Sequence, residues 1–281
     1  MAGLPALSRS CFGQTHVIVP RAEHTHTAIV LHGRGNDGEE FADEFLASTL
    51  SSGQSLPEKL PSWRWVFPTS PSIWSDVFQE NLPAWFDAYS LTDTTARQDL
   101  QVDGIRESVQ HVLGVIETET DILAPKMGKV YLGGISQGGA IGLWTLLTQS
   151  ESLSQLGGFF GASTWLPFAS DIERLFNQRE LIRPKDSPHQ SGEFDEFIAT
   201  MMPCRQSCDG NTGALPSIPV FIGHGVDDAY VDVESGKQAA HILKRVGFCV
   251  EWKEYSGAEG EGHWFKIPNQ IDDIHAFLTR H

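Results

Sequence analysis

The chain has 281 residues, with 20 lysines and arginines against 36 aspartates and glutamates, a formal net charge of −16 at pH 7. So negative a chain is repelled by nucleic acid and by anionic membrane surfaces, and a nucleic-acid partner is excluded from the expectations. Apolar residues make up 40% of it, with eight tryptophans and sixteen phenylalanines, enough for a sizeable core, and no long polar low-complexity tract breaks the pattern.

From the N-terminus, Met1 to Thr15 lacks a basic stretch followed by an unbroken apolar run. No segment approaches the roughly 18 apolar residues of a membrane span, so a cytoplasmic chain without stable membrane insertion is expected. Ala2 and the final Leu278 to His281 carry no lipidation signal. Beyond that, short β-branched runs alternate with longer segments of helical period, the sign of an α/β fold with a mainly parallel sheet and crossover helices. Strands are predicted at His16 to Val19, Thr27 to Leu31, Trp63 to Phe67, Lys129 to Gly133, Gly157 to Phe160, Val220 to Gly223 and Cys249 to Tyr255. Helices are predicted at Gly38 to Ala47, Thr95 to Glu119, Gly138 to Gln149, Val233 to Val246 and Pro268 to Thr279, with Gly247 stopping the fourth. The stretch Ala169 to Pro216 is rich in charge, proline and serine and reads as an insertion over the sheet edge, with short helices at Asp171 to Phe176 and Phe194 to Met201. Residues 1–281 are expected to form one domain.

One segment carries chemistry most directly. Lys129 to Ile135 is an apolar strand that runs through Gly134-x-Ser136-x-Gly138 straight into a helical pattern. A nucleophilic serine needs this layout: a sharp, strained turn exposes its hydroxyl, flanking glycines let strand and helix approach, and the helix N-terminus favours an anion. Serine is a weak nucleophile, so a histidine base and a carboxylate that orients it should follow in the chain. Val220 to Gly225 leads into Asp227-Asp228, two candidate carboxylates that the residues alone do not separate, and Gly260 to Phe265 contains His263, the candidate base. His224 reads as a residue that orders the carboxylate turn. Acyl transfer also needs two backbone N–H donors for the developing oxyanion. Gln137, following the serine, supplies one, and Arg34 in the loop His32-Gly33-Arg34-Gly35 is the candidate for the other.

Taken together, Leu31-His-Gly-Arg-Gly, Pro83-Ala-Trp85-Phe86-Asp87, Gly134-Ile-Ser-Gln-Gly-Gly139, His224-Gly-Val-Asp-Asp228 and Gly262-His263 resemble the phospholipase/carboxylesterase family that includes the acyl-protein thioesterases. The resemblance spans about Val17 to Leu278 apart from the insertion. It implies an α/β-hydrolase fold and cofactor-free hydrolysis of esters or thioesters through an acyl-enzyme on Ser136, with Asp228 rather than Asp227 as the carboxylate and His263 as the base. It also maps oxyanion donors onto Arg34 and Gln137 and places Trp85 near the acyl site; Trp165 and Trp264, beside mapped loops, join it as candidate pocket residues. The substrate so implied is a small molecule or an acylated protein. Arg34 puts a cation where the thioesterases have an apolar side chain, either to anchor an acidic group of the substrate or simply to be solvated.

Two other readings stay open at this point: an acyltransferase or cyclase that uses the same triad on a biosynthetic metabolite, and a hydrolase-fold protein that binds ligand without turnover. The four cysteines are too few for a disulfide scaffold. Cys204 and Cys208 lack the second pair that a structural zinc needs, and His24 and His26 read as solvated, so no metal is expected. Nothing in the residues indicates an oligomeric state.

Overall fold

The computed structural model describes residues 11–76, 78–90, 93–124, 129–154, 156–180, 192–202 and 218–280. Among the described residues there are nine strands: β1 His16–Ile18, β2 His26–Leu31, β3 Trp63–Phe67, β4 Ser72–Ser75, β5 Glu80–Pro83, β6 Lys129–Ile135, β7 Leu156–Ala162, β8 Pro219–Gly225 and β9 Cys249–Tyr255. Between them run helices α1 Gly38–Ala47, α2 Leu56–Lys59, α3 Gln101–Leu123, α4 Ser136–Leu147, α5 Ala169–Glu180, α6 Asp195–Met201, α7 Val233–Val246 and α8 Asn269–Arg280. Seven strands form one sheet in the order β1-β3-β2-β6-β7-β8-β9, while β4 and β5 make a separate antiparallel hairpin. Every pairing in the large sheet is parallel except β1 with β3. Parallel neighbours require crossovers, which the helical segments provide.

The two-residue period of the strands sorts the core into two layers. Ile29, Leu31, Leu132, Phe159, Val220 and Ile222 face a layer with Val109, Val112, Leu143, Trp144 and Ile242, from α3, α4 and α7. Their alternating neighbours Ala28, Val30, Trp65, Tyr131, Phe160 and Phe221 face Phe41 and Phe45 of α1 and Ile271, Ile274 and Phe277 of α8. With both faces covered, the inner strands are apolar without alternation. Local signals agree with this packing. The Asp37 side chain caps α1 by accepting from the N–H groups of Glu39 and Glu40, Asp232 caps α7 through Glu234, and Gly247 ends α7 at φ 111°.

The structure departs from the sequence reading at several elements, among them α3, which begins at Gln101 rather than Thr95. The helix after the elbow begins at Ser136 itself, two residues earlier than its period suggested, and is buried on nearly every side, so no polar face marks its start. The short β4–β5 hairpin and the four-residue α2 carry too little periodicity to be seen in the sequence. In addition, the described helices of the insertion pack against other helices, α5 on α7 and Phe197 of α6 on Trp144 of α4. Phe168, Ile172, Phe197, Ile198 and Met201 join the same buried layer as Trp144, and the Phe197 ring sits 5.2 Å from that indole. Burying rings of this size stabilises a fold by about 1.5–3 kcal/mol each, so the segment is part of the core where it is described. Cys204 and Cys208 lie outside the described residues. Among those residues no helix is long and apolar enough to cross a membrane.

Candidate active site

Three loops at the carboxyl ends of parallel strands carry the candidate residues, the end at which an open α/β sheet collects its functional groups. Ser136 follows β6, near the middle of the sheet, with φ +53° in the left-handed region. Such strain in a non-glycine residue costs on the order of 1–3 kcal/mol and persists only where neighbours hold it. Two close approaches do so. A Cβ on Gly138 would lie 2.4 Å from the carbonyl oxygens of both Leu31 and His32, and one on Gly134 would lie 2.7 Å from the carbonyl carbon of Gly138. The turn is thus compressed between β2, β6 and α4 in a way only glycine permits. The Thr164 hydroxyl, following β7, donates to the Ser136 carbonyl at 2.8 Å and ties the turn from the other side.

The carboxylate loop after β8 separates the two aspartates. The side chain of Asp228 is 0% exposed and lies 3.0 and 2.8 Å, through Oδ1 and Oδ2, from Nδ1 of His263 in the loop after β9. Asp228 Oδ1 also accepts from the N–H groups of Tyr230 and Val231, both at 2.9 Å. Asp227 instead faces outward and accepts from Gly257 N–H at 2.7 Å. Burial opposes ionisation of Asp228, but hydrogen bonds from His224 and His263, the charge of His263 and the Val231 N–H outweigh it and hold the carboxyl well below the usual carboxylate range. A carboxylate at Nδ1 fixes the tautomer of His263 with its proton there and leaves Nε2 free as a base. His224 orders the turn, as its position suggested: it is fully buried, with Nε2 2.9 Å from the Val231 carbonyl and 3.4 Å from Asp228 Oδ2.

Both candidate oxyanion donors lie at this end of the sheet. Because α4 starts at Ser136, the Gln137 N–H is among the first-turn donors that have no partner within the helix. Arg34 lies in the loop after β2, where the Gly33 Cα is so close to the elbow that an added Cβ would come 3.4 Å from Ser136 Cβ. The Arg34 guanidinium is half-buried and bonded to the chain's own groups. It donates to the Ala88 carbonyl at 3.0 Å and the Ser75 hydroxyl at 2.9 Å and lies over the Phe78 ring. Beside it, burial raises the Asp87 carboxyl above its ordinary range against the pull of Arg34.

The three tryptophans occupy different settings. Trp85 is 1% exposed, with its indole N–H donating to the His32 carbonyl at 2.8 Å, so it braces the Arg34 loop from beneath instead of presenting a face to solvent. Trp165 is buried edge-on to Phe86, and Trp264, half-buried, packs edge-on to Phe41 and Phe265. Sequence reasoning missed the contributions of Thr164, Ser108 and the Gln137 side chain, which appear only in three-dimensional hydrogen bonding.

His32 is a further buried support. Its Nδ1–H donates to the Gly33 carbonyl at 2.6 Å, its Nε2 accepts from Ser70 N–H at 3.0 Å, and burial pushes its pKa down to about 4. An unfolded histidine titrates near 6.5, so the folded state binds fewer protons between these values. Stability is therefore expected to be complete above about pH 6.5 and to fall by up to about 3 kcal/mol as pH drops towards 4. Urea unfolding across this range should show a flatter pH slope in His32→Gln than in the native chain; identical slopes would exclude His32 as a source of the acid sensitivity.

A strained serine after a central strand, together with a histidine paired to a buried carboxylate on loops at the carboxyl ends of a mostly parallel sheet, defines the class: this is an α/β-hydrolase. A family model described as phospholipase/carboxylesterase matches residues 13–184. The chain is similar to acyl-protein thioesterase 1 of Gibberella zeae, 29% identical over 270 residues and 94% of each chain, and to acyl-protein thioesterase 1 of Schizosaccharomyces pombe, 33% identical over 155 residues, 55% of this chain and 62% of that one. Among solved structures, acyl-protein thioesterase 2 of Zea mays superposes with a TM-score of 0.64 at 27% identity, over 95% of this chain and 98% of that one. Arabidopsis thaliana SOBER1 shares the fold, with a TM-score of 0.62 at 23% identity over 92% and 99%. The chain belongs to the phospholipase/carboxylesterase family and is a hydrolase.

Proposed function

We propose that the chain hydrolyses carboxylic ester and thioester bonds through an acyl-enzyme on Ser136, with His263 as general base and acid and Asp228 as its orienting carboxylate. The observation that carries this reading is the His263 pair with Asp228, a desolvated carboxylate 2.8 Å from Nδ1, on the loops that follow β9 and β8. His263 Nε2 takes the Ser136 proton as Oγ attacks the carbonyl carbon, and the oxyanion is met by the Gln137 and Arg34 N–H groups. The C–S or C–O bond then breaks, and His263 returns the proton to the leaving thiol or alcohol. Water, deprotonated by His263, attacks the acyl-enzyme and releases the carboxylic acid and Ser136. The proton that His263 takes from water passes to Ser136 Oγ as the acyl bond breaks, so the cycle closes with chain, substrate and water alone. Acylated proteins are the favoured substrates because the full-length relatives are named acyl-protein thioesterases.

The test is intact-mass analysis after treatment with a fluorophosphonate, which needs an activated serine but no knowledge of the substrate. One adduct on the native chain and none on Ser136→Ala is the expected result. No adduct on folded native protein would move the assignment to ligand binding without turnover.

A further inference from the structure

Arg34 and Gln137 lie far apart in sequence, yet an oxyanion hole works only if both N–H groups sit about 3 Å from one oxygen position. The segment from Pro83 to Ala88 runs between the loops that carry them, and its backbone is bonded to both. On one side, Gly35 N–H donates to the Pro83 carbonyl at 2.8 Å and Arg34 Nη1–H to the Ala88 carbonyl at 3.0 Å. On the other, Gln137 Oε1 accepts from Trp85 N–H at 2.8 Å while its Nε2–H donates to the Phe86 carbonyl at 2.7 Å, a side-chain copy of a backbone bridge. The segment is itself anchored to α3. Ser108 Oγ–H donates to the Trp85 carbonyl at 2.6 Å, and a Cβ on Gly104 would lie 2.7 Å from Phe86 Cα. Gln137 and Trp85 are each 1% exposed and Phe86 is 0% exposed, so the amide bonds are made in a dry interior, where pairing is strong and an unpaired group is costly.

We propose that Pro83 to Ala88 is a yoke that fixes the separation of the Arg34 and Gln137 N–H groups, and that the side chains of Gln137 and Arg34 are positioning residues that fasten it. The proposal rests on the acyl-enzyme reading above. It gives the Gln137 amide a task separate from that of its own backbone N–H. It also explains why Arg34 spends its guanidinium inside the protein.

The test uses steady-state hydrolysis of p-nitrophenyl acetate over a range of pH. Gln137→Met keeps length and apolar volume but breaks both amide bonds, and it is expected to lower kcat about 100-fold at every pH with little change in KM, as a small misplacement of a transition-state donor should. Gln137→Glu is the discriminating variant. A buried carboxyl favours its neutral form, and protonated it can accept from Trp85 N–H and donate to the Phe86 carbonyl as the amide does. Its kcat, taken as a ratio to the native chain so that pH effects common to both proteins cancel, should lie close to one at acid pH and fall as the carboxylate forms against the Phe86 carbonyl. A role in packing alone gives a ratio that does not change with pH. Arg34→Leu, at a half-buried position, should lower kcat about tenfold, and the double variant Arg34→Leu/Gln137→Met should lose less than the product of the single losses, because both fasten one segment. Native kcat in Gln137→Met or Arg34→Leu, or a flat ratio for Gln137→Glu, overturns the yoke. Loss of turnover in Ser136→Ala alongside such a result leaves the acyl-enzyme standing, whereas full turnover in Ser136→Ala removes the acyl-enzyme and the yoke with it.

Discussion

Ser136→Ala is expected to lower kcat by about 10⁶-fold towards esters and thioesters alike, with unfolding free energy within about 1 kcal/mol of the native chain. The rate effect follows from the chemistry: without Oγ there is no acyl-enzyme, and His263 and Asp228 have nothing to activate. The stability effect follows from the site. The backbone strain at Ser136, φ +53°, belongs to the turn and remains with alanine. The turn is held by backbone approach at Gly134 and Gly138 and by Thr164 on the Ser136 carbonyl, none of which uses the Ser136 hydroxyl. Parallel assays on a p-nitrophenyl ester and an acyl-thioester, with urea unfolding of both proteins, measure the two quantities. Residual turnover above about 1% of native would place the nucleophile elsewhere, and a shared loss of rate and stability would make Ser136 a structural residue.

How much of this was readable in the residues depends on the range of the signal. The inner strands β2, β6, β7 and β8 are apolar runs buried on both faces, so composition alone marks them, and α1 and α7 carry capping aspartates and, in α7, a terminal glycine beside their apolar stripes. Ser136 and His263 stood out as candidates because glycine-flanked loops follow strands in the order the chemistry needs. The choice between Asp227 and Asp228 was not legible from local residues. Both lie in one polar turn, and what separates them is the His263 ring, 35 residues further along the chain, together with the Tyr230 and Val231 N–H groups. Arg34 shows the same limit in reverse: its charge suggested solvent or a substrate anion, but its partners, Ser75 and Ala88, are 41 and 54 residues away. The Gln137 amide was read only as the owner of a backbone donor because its partners, too, are about 50 residues distant in sequence.

Asp228→Asn is expected to lower kcat by about 10⁴-fold, while Asp227→Asn should stay within about twofold of native. The first figure rests on which way the new amide must point. Asp228 Oδ1 accepts two backbone N–H groups, from Tyr230 and Val231, and only an oxygen can keep those bonds. The asparagine therefore retains Oδ1 there and places its NH₂ where Oδ2 was, 2.8 Å from His263 Nδ1. A donor at that position, nearer to Nδ1 than the retained Oδ1 at 3.0 Å, favours the tautomer in which Nδ1 accepts, with the ring proton on Nε2 and no lone pair to take the Ser136 proton. The geometry is kept while the tautomer is inverted, so folding should survive and turnover should not. At Asp227 the acceptor role towards Gly257 N–H passes unchanged to an amide oxygen. Kinetics of the two variants on one ester substrate decide the matter: equal losses, or a larger loss at Asp227, would overturn the assignment of the orienting carboxylate and with it the tautomer argument for His263.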